Sequence, residues 1–358
     1  MFVALRDIKF AKGRFALIAT VVTLITLLVG FLTGLAAGLG NQNISSILNM
    51  KADSIVFSVP EEGETLEWNE SVITDDMVKT WQNTPGVENA VPLSIQRSKA
   101  ESNKDAGVVL FGTPKSEDAA GEAPSGNGMV VLSRNAAEDL EASAGDKVTI
   151  GTKDYTVEHV SSELWYEHAP IIHMTLSDAD YYSNSVGQGP AQPNVLLVEG
   201  SPEAGADAVN NEAGTVSKSV LSSLTALEIF KSEVGSLGLM IGMLVGISAL
   251  VIGAFFTVWT IQRKPDVAVL KAMGVSTKAL LKDSLSQACI ILLIGIGVGT
   301  AATIILGSLA GEALPFVMNF MTMGIPAILM FITGLAGAGF ALRSVVKADP
   351  LNALNASR

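Results

Sequence analysis

FALIATVVTLITLLVGFLTGLAAGLG, residues 15–40, is an uncharged apolar run long enough to cross a membrane. A helix needs about 20 apolar residues to span a bilayer core, and only helices or closed barrels satisfy their backbone polar groups there. Three more uncharged apolar runs occupy 234–261, 284–311 and 313–342. A long polar island separates the first run from the second. The pattern predicts a membrane protein with four transmembrane α-helices and a large domain inserted between the first and second helices.

Basic residues near the ends of the runs predict the orientation of the chain. Lysine and arginine precede the first run, fill the segment between the second and third, and follow the fourth, whereas the segment between the third and fourth has none. Both termini and the middle loop are therefore expected in the cytoplasm, and the island outside the plasma membrane. Residues 41–228 hold 29 acidic and 10 basic side chains, and such a surface argues against nucleic acid as a partner.

These boundaries divide the chain into predicted segments. They are a cytoplasmic amphipathic helix over 1–13, transmembrane helices over 14–40, 229–261, 284–311 and 313–342, the extracytoplasmic domain over 41–228, a cytoplasmic loop over 262–283 and a cytoplasmic tail over 343–358. The first helix is expected to be retained, since its run is longer than the about 7–15 apolar residues of a cleaved signal peptide. Cys289 is the only cysteine, which excludes a disulfide within the chain.

The island is predicted to fold as an α+β domain. Six short, β-branched segments bounded by turn residues have the character of strands: 54–59, 107–112, 128–132, 147–150, 155–160 and 195–198. Residues 74–83 and 133–142 have the signature of capped helices. Apolar residues at 220, 224, 227 and 230 predict an amphipathic helix over 216–230. Without glycine or proline before the second span, this helix is expected to continue into the membrane as a rigid stalk.

Motifs of nucleotide binding and hydrolysis are missing from the sequence. There is no G-x-x-x-x-G-K-[ST] loop, no H-E-x-x-H and no G-x-S-x-G. The three histidines, His159, His168 and His173, lack the spacing of a zinc site, and we interpret them as ordinary surface or interior residues. We therefore do not expect an enzyme, and we expect no permanently bound cofactor.

The outer part of the second span carries a carboxylate and two thioethers. Glu233 and Met240 are seven residues apart and share one helical face, and Met243 lies about 60° from Met240. These groups can ligate the iron of a metalloporphyrin, for which methionine is an axial ligand. A carboxylate at the edge of a span also costs free energy, which favours a functional role for it. The alternative is that Glu233 marks the water interface and the methionines fill packing gaps.

Almost opposite on the same span, Gly238, Gly242 and Gly246 repeat at intervals of four. Small residues at this spacing let helices approach closely. We expect this face to pack on another span or on a partner protomer. The face of Glu233 is then left toward a central cavity or toward lipid.

The segment after the second span, QRKPDVAVLKAMG over 262–274, predicts a short amphipathic helix. Pro265 suits a first helical turn, and Gly274 suits a helix end. Val267, Leu270 and Met273 form its apolar stripe. Such a helix either docks a cytoplasmic protein or lies on the membrane surface.

This segment resembles the coupling loop of FtsX-like, MacB-type ABC transporter permeases, which reads close to E-R-x-x-E-I-G-I-L-K-A-I-G. Five residues fall on that pattern, although aspartate replaces the usual glutamate: Arg263, Asp266, Lys271, Ala272 and Gly274. The resemblance extends to TPGVENAVP over 84–92 and DPLNAL over 349–354. It implies a homodimer in the lipid bilayer that works with a separate cytoplasmic ATPase, which binds ATP and Mg²⁺. Arg263, Asp266, Leu270, Lys271 and Gly274 would then couple the two proteins.

The layout of four spans, a mid-sized outer domain and no fused ATPase is similar to haem-efflux permeases of Gram-positive bacteria within this family. That likeness implies haem as the transported ligand, bound by Glu233, Met240 and Met243, with Glu233 and Met240 at the iron. Two other functions stay open. One is a permease for a lipoprotein, lipid or peptide. The other is a non-transporting FtsX-like signalling permease, which the size of the island disfavours.

Overall fold

A computed structural model describes residues 12–262, 269, 271, 273–311 and 314–346. Most of the helix predicted over 1–13 lies outside these residues, as do Arg263, Asp266, Leu270 and the tail from residue 347 onward. The chain separates into two compact units. Leu39–Val234 form one, here called the outer unit, and the rest of the chain forms the membrane unit.

The described residues contain four helices that are long and apolar enough to cross a membrane. They are α1 Lys12–Leu48, α7 Glu228–Gln262, α8 Thr277–Ala310 and α9 Ile325–Val346. The outer unit runs from the last turns of α1 to the first turns of α7 and contains both strands and helices. The predicted fold class, four spans with an inserted α+β domain, is confirmed.

Within the membrane unit, α8 packs closely against α1 through glycines. A Cβ on Gly299 would lie 2.7 Å from Thr26 Cβ and 2.8 Å from the carbonyl oxygen of Thr23. A Cβ on Gly295 would lie 2.7 Å from a methyl group of Val22. Thr23 Oγ1 donates a hydrogen bond to Gly295 O at 3.1 Å. The two backbones approach so closely because glycine has no side chain.

The fourth helix begins later than the span predicted over 313–342. Residues 314–319 are not helical, and a π-helical turn, Phe320–Gly324, precedes α9. The Phe316 ring occupies the space beside Gly34 of α1 and Gly307 of α8, and the Val317 N–H donates to Gly34 O at 3.1 Å. The segment therefore uses α1 as a hydrogen-bond partner in place of its own helix.

Ten strands and five further α-helices build the outer unit, all of whose residues are described. The strands are β1 Ser54–Ser58, β2 Val87–Glu101, β3 Asp105–Thr113, β4 Met129–Leu132, β5 Lys147–Ile150, β6 Lys153–Val160, β7 Trp165–Tyr166, β8 Ala169–Thr175, β9 Val195–Gly200 and β10 Thr215–Ser219. The helices are α2 Asp75–Gln82, α3 Arg134–Leu140, α4 Leu176–Ser185, α5 Ala206–Ala213 and α6 Val220–Ser223.

The long strand β2 belongs to two parts of the sheet. Its first half pairs antiparallel with β9, with Leu93 opposite Val195, and β9 is followed by β1 and β10. Its second half pairs with β3, starting from Ser94 opposite Gly112. The order β2, β3, β8, β4, β6, β5 then returns to β2 at Ala100, so these six strands close on themselves.

Hydrophobic clusters fill the outer unit on both sides of its strands. The closed strands surround one cluster that includes Leu110 and Tyr155. A second cluster contains Trp68 and Tyr166 together with Ile47 from the C-terminal end of α1. The third places Trp81 of α2 against β1 and β9. Because α1 contributes to a core of the outer unit, its last turns are part of that unit's fold.

All six strands predicted from the sequence are present, as are the helices predicted over 74–83 and 133–142. Thr74 and Ser133 are the N-caps of those helices, and their side chains accept hydrogen bonds from Met77 N and Ala136 N. Sequence patterns missed β2, β7, β8 and β10. The first contains Pro92 and several charged residues, which weaken the alternation of a strand.

The prediction of a continuous stalk helix over 216–230 is wrong. Thr215–Ser219 form β10, which pairs with β1 from Thr215 opposite Ser58. One turn of helix, α6, and a 3₁₀ turn, Leu224–Ala226, follow. Leu227 then has an extended backbone, with φ −94° and ψ 107°, and α7 begins at Glu228. The start of this segment pairs with β1 as a strand although its apolar residues have helical spacing. Two of those residues, Leu224 and Leu227, are nevertheless buried in the core.

A methyl group added at Gly299 should destabilise the membrane unit. Because the new Cβ would lie within 3 Å of both Thr26 and the Thr23 backbone, we expect Gly299→Ala to lower the free energy of unfolding by about 1–3 kcal/mol. Thermal unfolding of the purified full-length protein in detergent measures the change. The matched control is Gly297→Ala on the same helix, where no described atom lies within 4 Å. Equal midpoints for the two variants would contradict the proposed packing.

Candidate functional site

A tight turn in the outer unit contacts the end of α1 through its backbone and presents the His168 side chain to the first turns of α7. Glu167 and His168 form the two-residue connection between β7 and β8, with Tyr166 opposite Ala169. Both residues have positive φ, 46° and 64°, the conformation of a type I′ hairpin turn, which favours Asn-Gly. The Glu167 N–H donates to Asn43 O at 3.1 Å, and the His168 N–H donates to Gln42 O at 2.9 Å.

The Glu233 carboxylate lies at this turn and uses both of its oxygens. Oε2 accepts a hydrogen bond from Asn43 Nδ2 at 2.8 Å, and Oε1 lies 3.0 Å from His168 Nε2. About a third of each of the His168 and Glu233 side chains is exposed, 31% and 32%. Three parts of the outer unit, the end of α1, the β7–β8 turn and the start of α7, thus meet at one carboxylate.

Asn43 is fully buried, and its neighbours fix the orientation of its amide. Nδ2 faces two acceptors, Glu233 Oε2 and Leu39 O, the latter at 3.2 Å, and it also lies 3.1 Å from His168 Nε2. Since an amide oxygen cannot donate to either, the amide nitrogen must point toward the carboxylate. Asn43 Oδ1 has no hydrogen-bond partner among residues 12–262 or the other described positions.

The first residue of the turn is anchored in the opposite direction. Glu167 is buried, and Arg97 of β2 donates to its Oε2 at 2.6 Å. Asn69 Nδ2 donates to the same oxygen at 3.4 Å, and the Tyr166 hydroxyl donates to Asn69 Oδ1 at 3.2 Å. Burial raises the pKa of the Tyr166 phenol well above its usual range, with a smaller contribution from Glu167. The phenol therefore stays a donor.

The other residues of the candidate ligand site lie on α7 in the membrane unit. Met240 and Met243 are exposed, 41% and 54%. A Cβ on Gly238, Gly242 or Gly246 would meet no atom of the described chain within 4 Å. Within one chain, these glycines therefore do not pack against another described span, and their packing on a partner protomer stays a prediction.

Two of the five predicted coupling residues, Lys271 and Gly274, are described, and they match the expected end of the loop helix. Gly274 has φ +89°, and its N–H donates to Lys271 O at 3.0 Å. A positive φ at glycine is a common helix terminus, so the helix end predicted at Gly274 is confirmed. Ser276 then caps α8. The described Val269 and Met273 are exposed apolar side chains. Coupling itself stays a prediction.

The structure separates the three histidines, to which the sequence assigned no role. His168 contacts Glu233, which is 65 positions away in the chain, and no local spacing could have indicated this pair. His159 contacts Glu122 near the surface. His173 is fully buried, and burial lowers the pKa of its imidazole to about 4. Among the described residues, no group of three or more His, Cys, Asp or Glu side chains is placed to hold a metal ion.

Two family models match the chain. The model described as MacB-like periplasmic core domain matches residues 15–216, and the model described as FtsX-like permease C-terminal matches residues 238–350. The first covers more than half of the sequence. The protein belongs to the MacB/FtsX-type permeases of ABC transporters, and the family predicted from the coupling-loop pattern is confirmed. It is accordingly a transporter component of the plasma membrane with an extracytoplasmic domain.

Relatives of similar length carry more particular names. The chain is 27% identical to a protein of Staphylococcus haemolyticus named as the hemin transport system permease HrtB, over 99% of each chain. The HrtB of Staphylococcus epidermidis is 25% identical, also over 99% of each chain. An uncharacterised ABC transporter permease of Mycobacterium tuberculosis is 25% identical over 98% of each chain.

Solved structures of outer domains show weaker similarity. The periplasmic region of MacB from Actinobacillus actinomycetemcomitans is 11% identical, with a TM-score of 0.35 over 49% of this chain and 93% of that one. The extracellular domain of the Gram-positive transporter YknZ is 18% identical, with a TM-score of 0.35 over 46% and 98%. The family assignment rests on the two family models.

His173 should make the stability of the outer unit depend on pH. Its imidazole binds a proton below about 6.5 in the unfolded chain but only below about 4 in the folded chain. Between these values the unfolded state holds more protons, so stability falls as pH falls, by on the order of 3 kcal/mol in total. We expect His173→Leu to show a smaller fall in thermal midpoint between pH 7 and pH 4.5 than the wild type.

The control for this measurement is Met174→Leu, because Met174 is a buried neighbour of His173 without a titratable group and its replacement should leave the pH dependence in place. All three proteins are compared as full-length chains in the same detergent. Parallel pH profiles for the wild type and His173→Leu would contradict a neutral, buried His173.

Proposed function

We propose that this chain is the permease subunit of an ABC-type efflux transporter that exports haem from the membrane, driven by ATP hydrolysis on a separate subunit. The observation that carries the proposal is the Glu233 carboxylate, which Asn43 and His168 contact at its two oxygens near the start of an apolar span. An ionisable group at the edge of a span is most often functional. The names of the two full-length HrtB relatives support haem as the ligand.

The chemistry of α7 suits an amphipathic metalloporphyrin. The helix is continuous from Glu228 to Gln262, so Met240 is two turns deeper than Glu233 and on the same face. Carboxylate and thioether are both groups that bind haem iron, methionine more commonly. The exposed Met243 and Leu239 offer apolar surface for the flat macrocycle. In this proposal Glu233 and Met240 bind the iron, and Met243 lies against the porphyrin.

The working assembly we propose is a homodimer with both termini in the cytoplasm. The uncovered glycine face of α7, Gly238, Gly242 and Gly246, is the surface that favours contact with a second protomer. A cytoplasmic ABC ATPase, which binds ATP and Mg²⁺, would dock on the loop over 262–283. Closure of the ATPase on nucleotide would move the helices that lead into the outer unit.

Haemin binding tests the ligand. We expect haemin to shift its Soret band when it is added to the purified full-length permease with its ATPase. Glu233→Ala and Met240→Ala should each weaken binding by about tenfold or more, since each removes an iron ligand worth at least about 1.4 kcal/mol. Absorbance titration in detergent or nanodiscs measures the dissociation constants.

Two matched variants control for loss of charge or sulfur alone. Glu228→Ala removes an exposed carboxylate from the first turn of the same helix, and Met321→Ala removes an exposed methionine from the turn before α9. Both should bind haemin like the wild type. An unchanged titration in Glu233→Ala and Met240→Ala would refute this ligand site. A wild type without a Soret change would favour a lipoprotein, lipid or peptide substrate.

The coupling loop makes a separate prediction. Asp266→Ala or Leu270→Ala should reduce stimulation of the partner ATPase severalfold, because a charged contact and an apolar anchor of the docking helix are lost. ATP hydrolysis in proteoliposomes measures the stimulation, and the thermal midpoint reports whether the permease stays folded. Lys278→Ala, just beyond the helix N-cap, is the control. Stimulation at the wild-type level in both loop variants would exclude the docking role.

A further inference from the structure

The β7–β8 turn supplies one of the two contacts that orient the Glu233 carboxylate, and the end of α1 supplies the other. Asn43 Nδ2 binds Oε2 at 2.8 Å from α1, and His168 Nε2 lies 3.0 Å from Oε1 at the β7–β8 turn. A carboxylate held at both oxygens has its plane fixed, so the lone pairs left for a ligand point in set directions. The direction in which Glu233 can bind an iron thus depends on a residue outside the spans.

The backbone of the β7–β8 turn is strained, and surrounding contacts hold His168 in its position beside Glu233. Glu167 and His168 both have positive φ, which residues other than glycine and asparagine adopt at an energetic cost. Strain of this kind persists where surrounding contacts hold it and clusters at functional sites. Here the contacts are the two N–H bonds to Gln42 O and Asn43 O, and the ion pair of the buried Glu167 with the exposed Arg97.

We propose that His168 is a positioning residue for the ligand carboxylate of Glu233, so that the extracytoplasmic domain takes part directly in haem binding. The inference rests on the proposed function and extends it. With Nε2 protonated, the imidazole donates to Oε1 while Asn43 donates to Oε2. Motion of the β7–β8 turn away from α7 would release one oxygen of Glu233 and change the geometry at the iron.

Two variants separate positioning from a structural role. His168→Gly removes the imidazole but suits φ +64°, so the thermal midpoint should stay equal or rise. Haemin should bind about tenfold more weakly, the effect of losing one hydrogen bond to a charged group. His168→Gln keeps a side-chain N–H donor on a chain of similar reach. It should restore binding to within about threefold of the wild type.

The experiment is an absorbance titration of the full-length permease with haemin, together with electron paramagnetic resonance of the bound ferric haem. The ferric signal of His168→Gly should differ from that of the wild type, because the carboxylate is no longer held, and His168→Gln should return toward the wild-type signal. His159→Gln, which alters a histidine paired with Glu122 instead, should change neither affinity nor spectrum.

Several results would overturn the inference. Wild-type affinity and spectrum in His168→Gly, combined with lost binding in Glu233→Ala, would reject His168 as a positioning residue and leave the proposed function standing. Equal weakening in His168→Gly and His168→Gln with lowered midpoints would mean a structural role only. A wild-type signal of imidazole-bound iron that disappears in His168→Gly would make His168 a ligand instead. A wild type without a Soret change would reject the proposed function itself.

Discussion

The outer unit depends on the pairing of one long strand with different neighbours along its length. β2 has 15 residues, against about 5–6 in a common strand, and it pairs with β9 up to Leu93 and with β3 from Ser94 onward. Pro92 is tolerated because it lies just before the pairing with β3 starts, so its missing N–H removes no bond from that ladder. A slip of one residue would exchange the side chains that face the two clusters on either side of the sheet, such as Ala90 and Val91.

The same strand is linked to the candidate site through charge. Arg97 projects from the second half of β2 to Glu167, whose side chain is only 5% exposed. Removing the arginine would leave a buried carboxylate without its counter-charge, which is more damaging than losing a surface ion pair. Glu167 and His168 are adjacent, so the pair with Arg97 also constrains the imidazole that contacts Glu233. The Glu233 carboxylate is thereby connected to β2 by two contacts, one between His168 and Glu233 and one between Arg97 and Glu167.

Much of the architecture could be predicted because the decisive patterns are local. Uncharged runs of membrane length and β-branched segments such as SIVFS, residues 54–58, are read from neighbouring residues alone. The stalk over 216–230 failed for a physical reason. Its helical spacing was real, and Leu224 and Leu227 are buried, but the edge of β1 offered Thr215–Ser219 a strand partner that local propensity does not record.

The candidate site shows the same limit at the level of single side chains. Glu233 stands out in the sequence because an acid beside an apolar run is expensive, and that argument needs no structure. Its partners cannot be found this way, since Asn43 and His168 are separated by 125 positions and belong to a helix end and a hairpin turn. A carboxylate oriented by residues from both elements has its geometry only while the outer unit is folded around α1. If Glu233 binds the ligand as proposed, ligand affinity would therefore depend on the folded outer unit as well as on α7.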